Sequence, residues 1–223
     1  MKYYVFAPYG RTGSKRVVSL IGRYRFTILD NDFYKQNRRD IAAQLNNFEE
    51  GDVVHSHLLI LPRNLDEWTI VLTQRKSKAE QLMSFEISKK LVDGFNPVNS
   101  SLPCTPFFLD EKTVKSSLKK INTEYKLFYN TMKMVNKPYV TINMEDTLEE
   151  ISEKLPINNR QLANQLDFKY KSKHNYKDII INYQQVFDWC GEVLENHLTL
   201  SLFDTISNRG KANGIFGQSN RSL

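Results

Sequence analysis

Three groups of residues in this 223-residue chain combine side chains able to do chemistry. The first is the run Pro8-Tyr9-Gly10-Arg11-Thr12-Gly13-Ser14-Lys15-Arg16, set between a short apolar run and the start of a helical pattern. A helix N-terminus exposes unpaired N–H groups and about half a positive charge, so it attracts phosphate-like anions. Gly10 and Gly13 let the backbone turn sharply and approach an anion closely. Ser14 adds a hydroxyl donor, and Arg11, Lys15 and Arg16 add charge-assisted ones. The spacing is not that of a Walker A loop, which needs GxxxxGK followed by Ser or Thr; here Arg16 follows the lysine. An ordinary nucleoside triphosphatase is therefore disfavoured. A plain glycine-rich turn carrying surface charges is the simpler alternative.

The second group is His55-Ser56-His57-Leu58, followed by Leu61-Pro62. A histidine pKa near 6.5 suits removal of a hydroxyl proton at neutral pH. Two residues apart on a strand, His55 and His57 would share a face. A metal pair and two structural histidines are both open readings, but no third ligand lies nearby in sequence, so no metal centre is expected. The third group is Thr73-Gln74-Arg75-Lys76-Ser77 with Gln81-Leu82-Met83-Ser84, an arginine at a strand end and a serine nine positions on. Taken alone it is an ordinary strand-end arginine and a helix-surface serine.

The elements that must position these groups follow from periodicity. Tyr3–Phe6, Asp52–His57, Trp68–Thr73 and Tyr139–Ile142 read as strands, short and rich in apolar, β-branched or aromatic residues. Helical stripes fall at Val17, Val18 and Ile21, at Ile41, Ala42, Leu45 and Phe48, and over Lys78–Val92. The most regular helix runs from Val114 to Val135, an apolar seam with steps of four and three. Shorter helices are expected over Leu148–Leu155 and Arg160–Leu166, and a last long one over Ile179–Leu198. Asn96–Leu109 holds three prolines and reads as a long loop of the kind that often lines a binding site. Strands alternating with helices predict an α/β fold, a three-layer α/β/α arrangement around a mostly parallel sheet. Ligands in such sheets bind at the carboxyl ends of the strands, where all three groups fall. The expected organisation is one domain over 1–205 and a loosely ordered tail over 206–223.

Composition narrows the classes of function. The net charge of +6 fits a lysine-rich solvated surface, or an anionic partner. Cys104 and Cys190 are far apart, which fits a reducing compartment and no disulfide framework. No apolar run approaches the ~20 residues of a membrane span, and a cytoplasmic protein is expected. A nucleic-acid partner is not expected, since no RNP or zinc-finger pattern is present.

Arg11-Thr12-Gly13-Ser14 resembles the Lys/Arg-Ser-Gly-Thr/Ser loop of sulfotransferases that use 3′-phosphoadenosine 5′-phosphosulfate (PAPS) and release adenosine 3′,5′-bisphosphate (PAP). His57-Leu58 with the downstream Leu61-Pro62 resembles their Thr-His-Leu-Pro segment, and Arg75 with Ser84 their strand-end arginine and helical serine. The Gln-x-x-Ser ending is closer to bacterial carbohydrate sulfotransferases. A weaker echo lies at Tyr139–Ile142 with Glu145-Asp146, where Met144 replaces the family's tyrosine. The resemblance covers about residues 3–150. It implies transfer of a sulfonate from PAPS to a hydroxyl of a carbohydrate or other small acceptor, without metal. It places Arg11, Thr12, Gly13, Ser14, Lys15 and Arg16 on the phosphosulfate, and Arg75 and Ser84 on the 3′-phosphate. His57 becomes the general base, with Asp30 or Asp32 as alternatives, and Arg11 a catalytic cation. Lys15-Arg16 departs from the family pattern. The late basic segment that also holds the 3′-phosphate has no clear counterpart, with Lys169, Lys171 and Lys173 as stand-ins. A nucleotide-binding or interaction protein that keeps the fold without transfer activity is the competing expectation.

Overall fold

The computed structural model describes residues 1–28, 38–90, 105–157 and 176–192, all within one compact unit, Met1–Glu192. Expectations for 29–37, 91–104, 158–175 and 193–223 lie outside the described residues. They include Asp30, Asp32, Cys104, most of the proline-rich loop, the three stand-in lysines and the tail.

Five strands form one sheet: β1 (Lys2–Phe6), β2 (Arg23–Ile28), β3 (Asp52–Ser56), β4 (Trp68–Gln74) and β5 (Tyr139–Asn143). Their order is β2-β3-β1-β4-β5, and every pairing is parallel. The fold is α/β, as the alternating pattern predicts. The central strands β1 and β3 are buried almost throughout, and β1 accordingly reads as a continuous apolar run rather than as alternation.

Side chains alternate across the sheet and so build two cores. Tyr3, Val5, Val53 and Val71 face α1 (Ser14–Ile21), with Ile151 of α5 (Leu148–Lys154) on the same side. On the other side Phe6 stacks on Phe128 of α4 (Glu111–Met134), centroids 5.4 Å apart. The predicted seam of α4 is buried at Val114, Ile121, Tyr125, Phe128 and Met132, each worth about 1.5–3 kcal/mol of apolar burial. Beside α4 pack α3 (Lys78–Lys90) and α7 (Tyr183–Cys190). Among the described residues no helix is long and apolar enough to cross a membrane.

The structure departs from the sequence pattern at three places. β2 carries arginines at positions that made the segment look polar. Arg23 and Arg25 pair with the buried carboxylate of Asp52 at 3.2 and 3.0 Å, so the charges belong to an edge strand. The second helix, α2 (Arg38–Leu45), stops before Phe48, whose ring instead lies 5.7 Å from that of Trp68. Of the expected long helix over Ile179–Leu198 the structure describes 179–192, where the chain breaks between α6 (Tyr176–Ile179) and α7 and Gly191 at φ 70° ends the latter. The break has a donor-and-acceptor cause. Phe107 donates its N–H to Ile179 O and accepts from Ile181 N–H, at 2.9 and 3.0 Å, taking backbone groups a continuous helix would use. Asn182 adds a two-way amide bond to the backbone of Leu109.

Strand order fixes where a ligand can enter. From β1 the chain crosses by way of α1 to β2, on one side, while from β4 it crosses to β5, on the other. β1 and β4 are neighbours, so their carboxyl ends border the crevice of a topological switch point. The segments that leave there are 7–13 and 75–77.

Candidate functional site

The loop after β1 is wound tightly. Tyr9, Gly10, Arg11 and Gly13 have φ of 57°, 71°, 59° and 73°. Glycine takes this region at little cost, but Tyr9 and Arg11 hold strained backbones that the surroundings must enforce. The Gln81 amide, fully buried on α3, donates to Pro8 O and Gly10 O, each at 2.9 Å. Tyr125 O–H donates to Gln81 Oε1 at 3.3 Å and orients that amide. Glu124 accepts the Tyr9 N–H, and the Tyr9 hydroxyl donates to Ser117 Oγ at 2.9 Å. Thr12 is tied by its hydroxyl to that of Thr73 at 2.8 Å, at the end of β4. Because peptides are trans, turning Gly10 O toward Gln81 turns the Arg11 N–H away from it. The loop then enters α1 at Gly13, with no side chain capping the helix.

Both histidines of the second group reach this loop. His57 Nδ1 lies 3.0 Å from Ala7 O, and since a carbonyl only accepts, Nδ1 carries the proton. That tautomer leaves the lone pair of the neutral ring on Nε2, the atom a base uses. A Cβ at Gly10 would stand 3.4 Å from His57 Cε1, so ring and loop are in direct contact. His55 is 2 % exposed and its Nε2 is 2.8 Å from Ser14 Oγ. Burial, then His57 and Lys15, lower its pKa from 6.5 to about 3, which keeps the ring neutral. The two rings meet edge to face at 4.6 Å. Among the described residues no group of three or more His, Cys, Asp or Glu is placed to hold a metal ion.

The third group closes on the first. Arg11 Nε donates to Ser84 Oγ at 3.0 Å, joining loop and α3 across the crevice. Arg75, 7 % exposed, donates through Nη1 to Glu80 O at 3.0 Å and to Tyr176 Oη at 2.7 Å, and through Nε to Met144 Sδ at 2.9 Å. Tyr176 also lays its ring near that guanidinium, 5.6 Å away. Burial lowers the pKa of Arg11; Tyr176 opposes this and the charge of Arg75 adds to it, so both guanidiniums share one neighbourhood. Among the described residues Arg75 has one carboxylate partner, Glu145, whose Oε1 is 3.9 Å from Nε. Two half-buried or buried cations, whose one ion pair among the described residues is the 3.9 Å contact of Arg75 with Glu145, make a site suited to an anion.

Not every expected residue joins this group. Lys15 is exposed at the start of α1. Arg16 turns to the end of β5, donating to the carbonyls of Met144 and Asp146 at 3.4 and 2.9 Å. Gly13 packs under Met144, and a Cβ there would lie 3.0 Å from its Cγ. Thr12 is 1 % exposed and serves as an anchor between loop and β4. The structure adds Glu124 and Tyr176, partners that spacing in the sequence does not reveal, and gives Gln81, in sequence only part of the run to Ser84, its hold on the loop. No family model matches the chain, and no curated protein or solved structure was found to match it.

Proposed function

We propose that the chain is a sulfotransferase that moves a sulfonate from PAPS to a hydroxyl of a carbohydrate or other small acceptor. The observation that supports this best is the Arg11 Nε–Ser84 Oγ bond at 3.0 Å, which joins the phosphate-type loop, against which His57 packs at Gly10, to the helix that follows the strand-end Arg75. Three separate stretches of sequence thus meet at the switch-point crevice. The uncapped start of α1, Arg11 and Ser14 suit the phosphosulfate end of the donor, and Arg75 with Ser84 suits its 3′-phosphate.

In the reaction the acceptor oxygen bonds to sulfur as the bond from sulfur to the phosphate oxygen of the donor breaks. His57 Nε2 takes the acceptor proton, while Nδ1–H stays on Ala7 O and holds the ring in place. Arg11 and the N–H groups at the start of α1 stabilise the negative charge that gathers on the leaving phosphate. Arg75 and Ser84 hold the far end of the donor, and such positioning lowers the barrier by several kcal/mol.

Thermal unfolding with PAP, ATP, GTP and a short oligonucleotide tests the binding half. At 100 times its Kd a ligand stabilises by about 2.7 kcal/mol, a rise of roughly 5–11 °C for a domain of this size. No selective rise with PAP refutes the reading. Labelled sulfonate transfer to a panel of sugars tests the other half: His57→Ala must abolish it, and binding without any transfer in the wild type leaves a nucleotide-binding protein.

A further inference from the structure

His55 has no part in the mechanism above, yet it is more deeply buried than His57 and touches one of the loop's residues. It lies on β3, paired with Val5 of β1 on one side and Thr27 of β2 on the other, so its backbone is held from both sides. Its Nε2 faces Ser14 Oγ at 2.8 Å, and Ser14 is the first residue of α1, 5 % exposed.

A neutral imidazole has one N–H, and the bond to Ser14 reads differently in its two tautomers. With the proton on Nδ1, Ser14 must give its only hydroxyl proton to Nε2, and it offers lone pairs to the helix start. An anion there would be repelled. With the proton on Nε2, His55 donates to Ser14 Oγ, and the serine proton points to the same place as the N–H groups that open α1. The two arrangements differ by a proton position and a hydroxyl rotation, with no heavy atom displaced.

We propose that His55 is a positioning residue that, as the Nε2–H tautomer, donates to Ser14 Oγ and so aims the Ser14 hydroxyl proton at an anion bound on the loop. This extends the reading of the loop as a phosphosulfate site and rests on it. The two histidines then divide the work by opposite tautomers: His57 keeps its proton on Nδ1 for Ala7 O, and His55 keeps its proton on Nε2 for Ser14. Burial serves the arrangement, since a doubly protonated His55 would place a second cation 4.6 Å from the ring of the base.

The test uses the full chain, with PAP and inorganic pyrophosphate as separate probes in calorimetry. Glutamine carries an amide donor near the place of Nε2, leucine carries none, and glutamate offers only an acceptor when ionised. His55→Gln is expected to hold pyrophosphate within about threefold of wild type, whereas His55→Leu and His55→Glu lose about tenfold or more. Nitrogen-15 spectra of the wild-type imidazoles supply a readout that needs no variant to fold: His55 with pyrophosphate bound must show a protonated Nε2. A protonated Nδ1 in that state, or undiminished binding by a folded His55→Leu, overturns the proposal. Pyrophosphate binding without PAP binding refutes the sulfotransferase reading and spares this one, and binding of neither refutes both.

Discussion

Arg11 and Ser84 are 73 positions apart in the chain and meet through one hydrogen bond of 3.0 Å, from Nε to Oγ. The bond uses Nε and neither of the two Nη groups on the outer edge of the guanidinium. Ser84→Ala removes the acceptor and leaves Arg11 without its guide. Its expected effect is on binding: PAP affinity falls about tenfold, the size of one charge-assisted hydrogen bond. Stability should change by less than about 1.5 kcal/mol. Calorimetric titration and urea unfolding on the same variant separate the two, and unchanged affinity refutes the pairing as a functional one.

Gln81 holds the loop by two carbonyls at once. Gln81→Leu keeps the bulk and strands Pro8 O and Gly10 O in a buried place, a cost of about 1–3 kcal/mol for each unpaired group. The loop's positive-φ residues then lose the contact that enforces them. Urea midpoints are expected to fall accordingly, with PAP affinity falling further than the stability loss alone explains.

Gly10 and Gly13 share a backbone region but not a setting. A Cβ at Gly10 meets His57 at an ordinary 3.4 Å, while one at Gly13 meets Met144 Cγ at 3.0 Å and its Cβ at 3.2 Å. Left-handed backbone costs an alanine about 1–2 kcal/mol at either site. Gly13→Ala must therefore be the more destabilising, and Met144→Ala should recover part of that excess. A double-mutant cycle by thermal unfolding measures the recovery; strict additivity contradicts the contact.

His55 makes stability depend on pH in a defined window. An unfolded imidazole titrates near 6.5, and folded His55 at about 3, so between those values the unfolded chain binds the extra proton. The contribution is whole above about 6.5 and drains away as pH falls toward 3, at up to about 1.4 kcal/mol per pH unit. Asp52 and Asp146, whose pKa values the fold lowers, lose their contributions only below about 4. From pH 6.5 to 5 the wild type should thus lose about 2 kcal/mol more than His55→Gln, read as a steeper fall in Tm. Parallel slopes would show that His55 protonates freely in the folded chain.

Sequence carried the site's backbone and half of its partners. The loop, His57 and Arg75 each sit within a few residues of a strand end, visible as an apolar run that stops, whereas Ser84, well inside the helix after β4, stands out only through the resemblance to the sulfotransferase segment. β2 was hidden because Arg23 and Arg25 interrupt its apolar pattern, and the Asp52 carboxylate that neutralises them lies 27 to 29 residues on. Gln81 was visible only as part of the stretch leading to Ser84, since its reach to Pro8 and Gly10 depends on how α3 docks. Tyr176 fell inside what periodicity shows as ordinary polar chain, and only the folded protein sets it on Arg75. Arg16, the odd residue of the loop's sequence, is accounted for by backbone carbonyls at the end of β5.

The strained turn at Tyr9–Arg11 also sets an order of events as the protein folds. Its restraints come from residues 73 and 71 positions away at Gln81, 115 at Glu124 and 108 at Ser117. Contacts of such long range form late, after the entropy of closing those chain loops has been met. On a ribosome, β1, β3 and β4 can pair before α4 has emerged, leaving the turn still slack. The turn's full set of restraints is therefore complete only once α4 has docked, and in refolding, recovery of ligand binding should trail recovery of the fluorescence of buried Trp68.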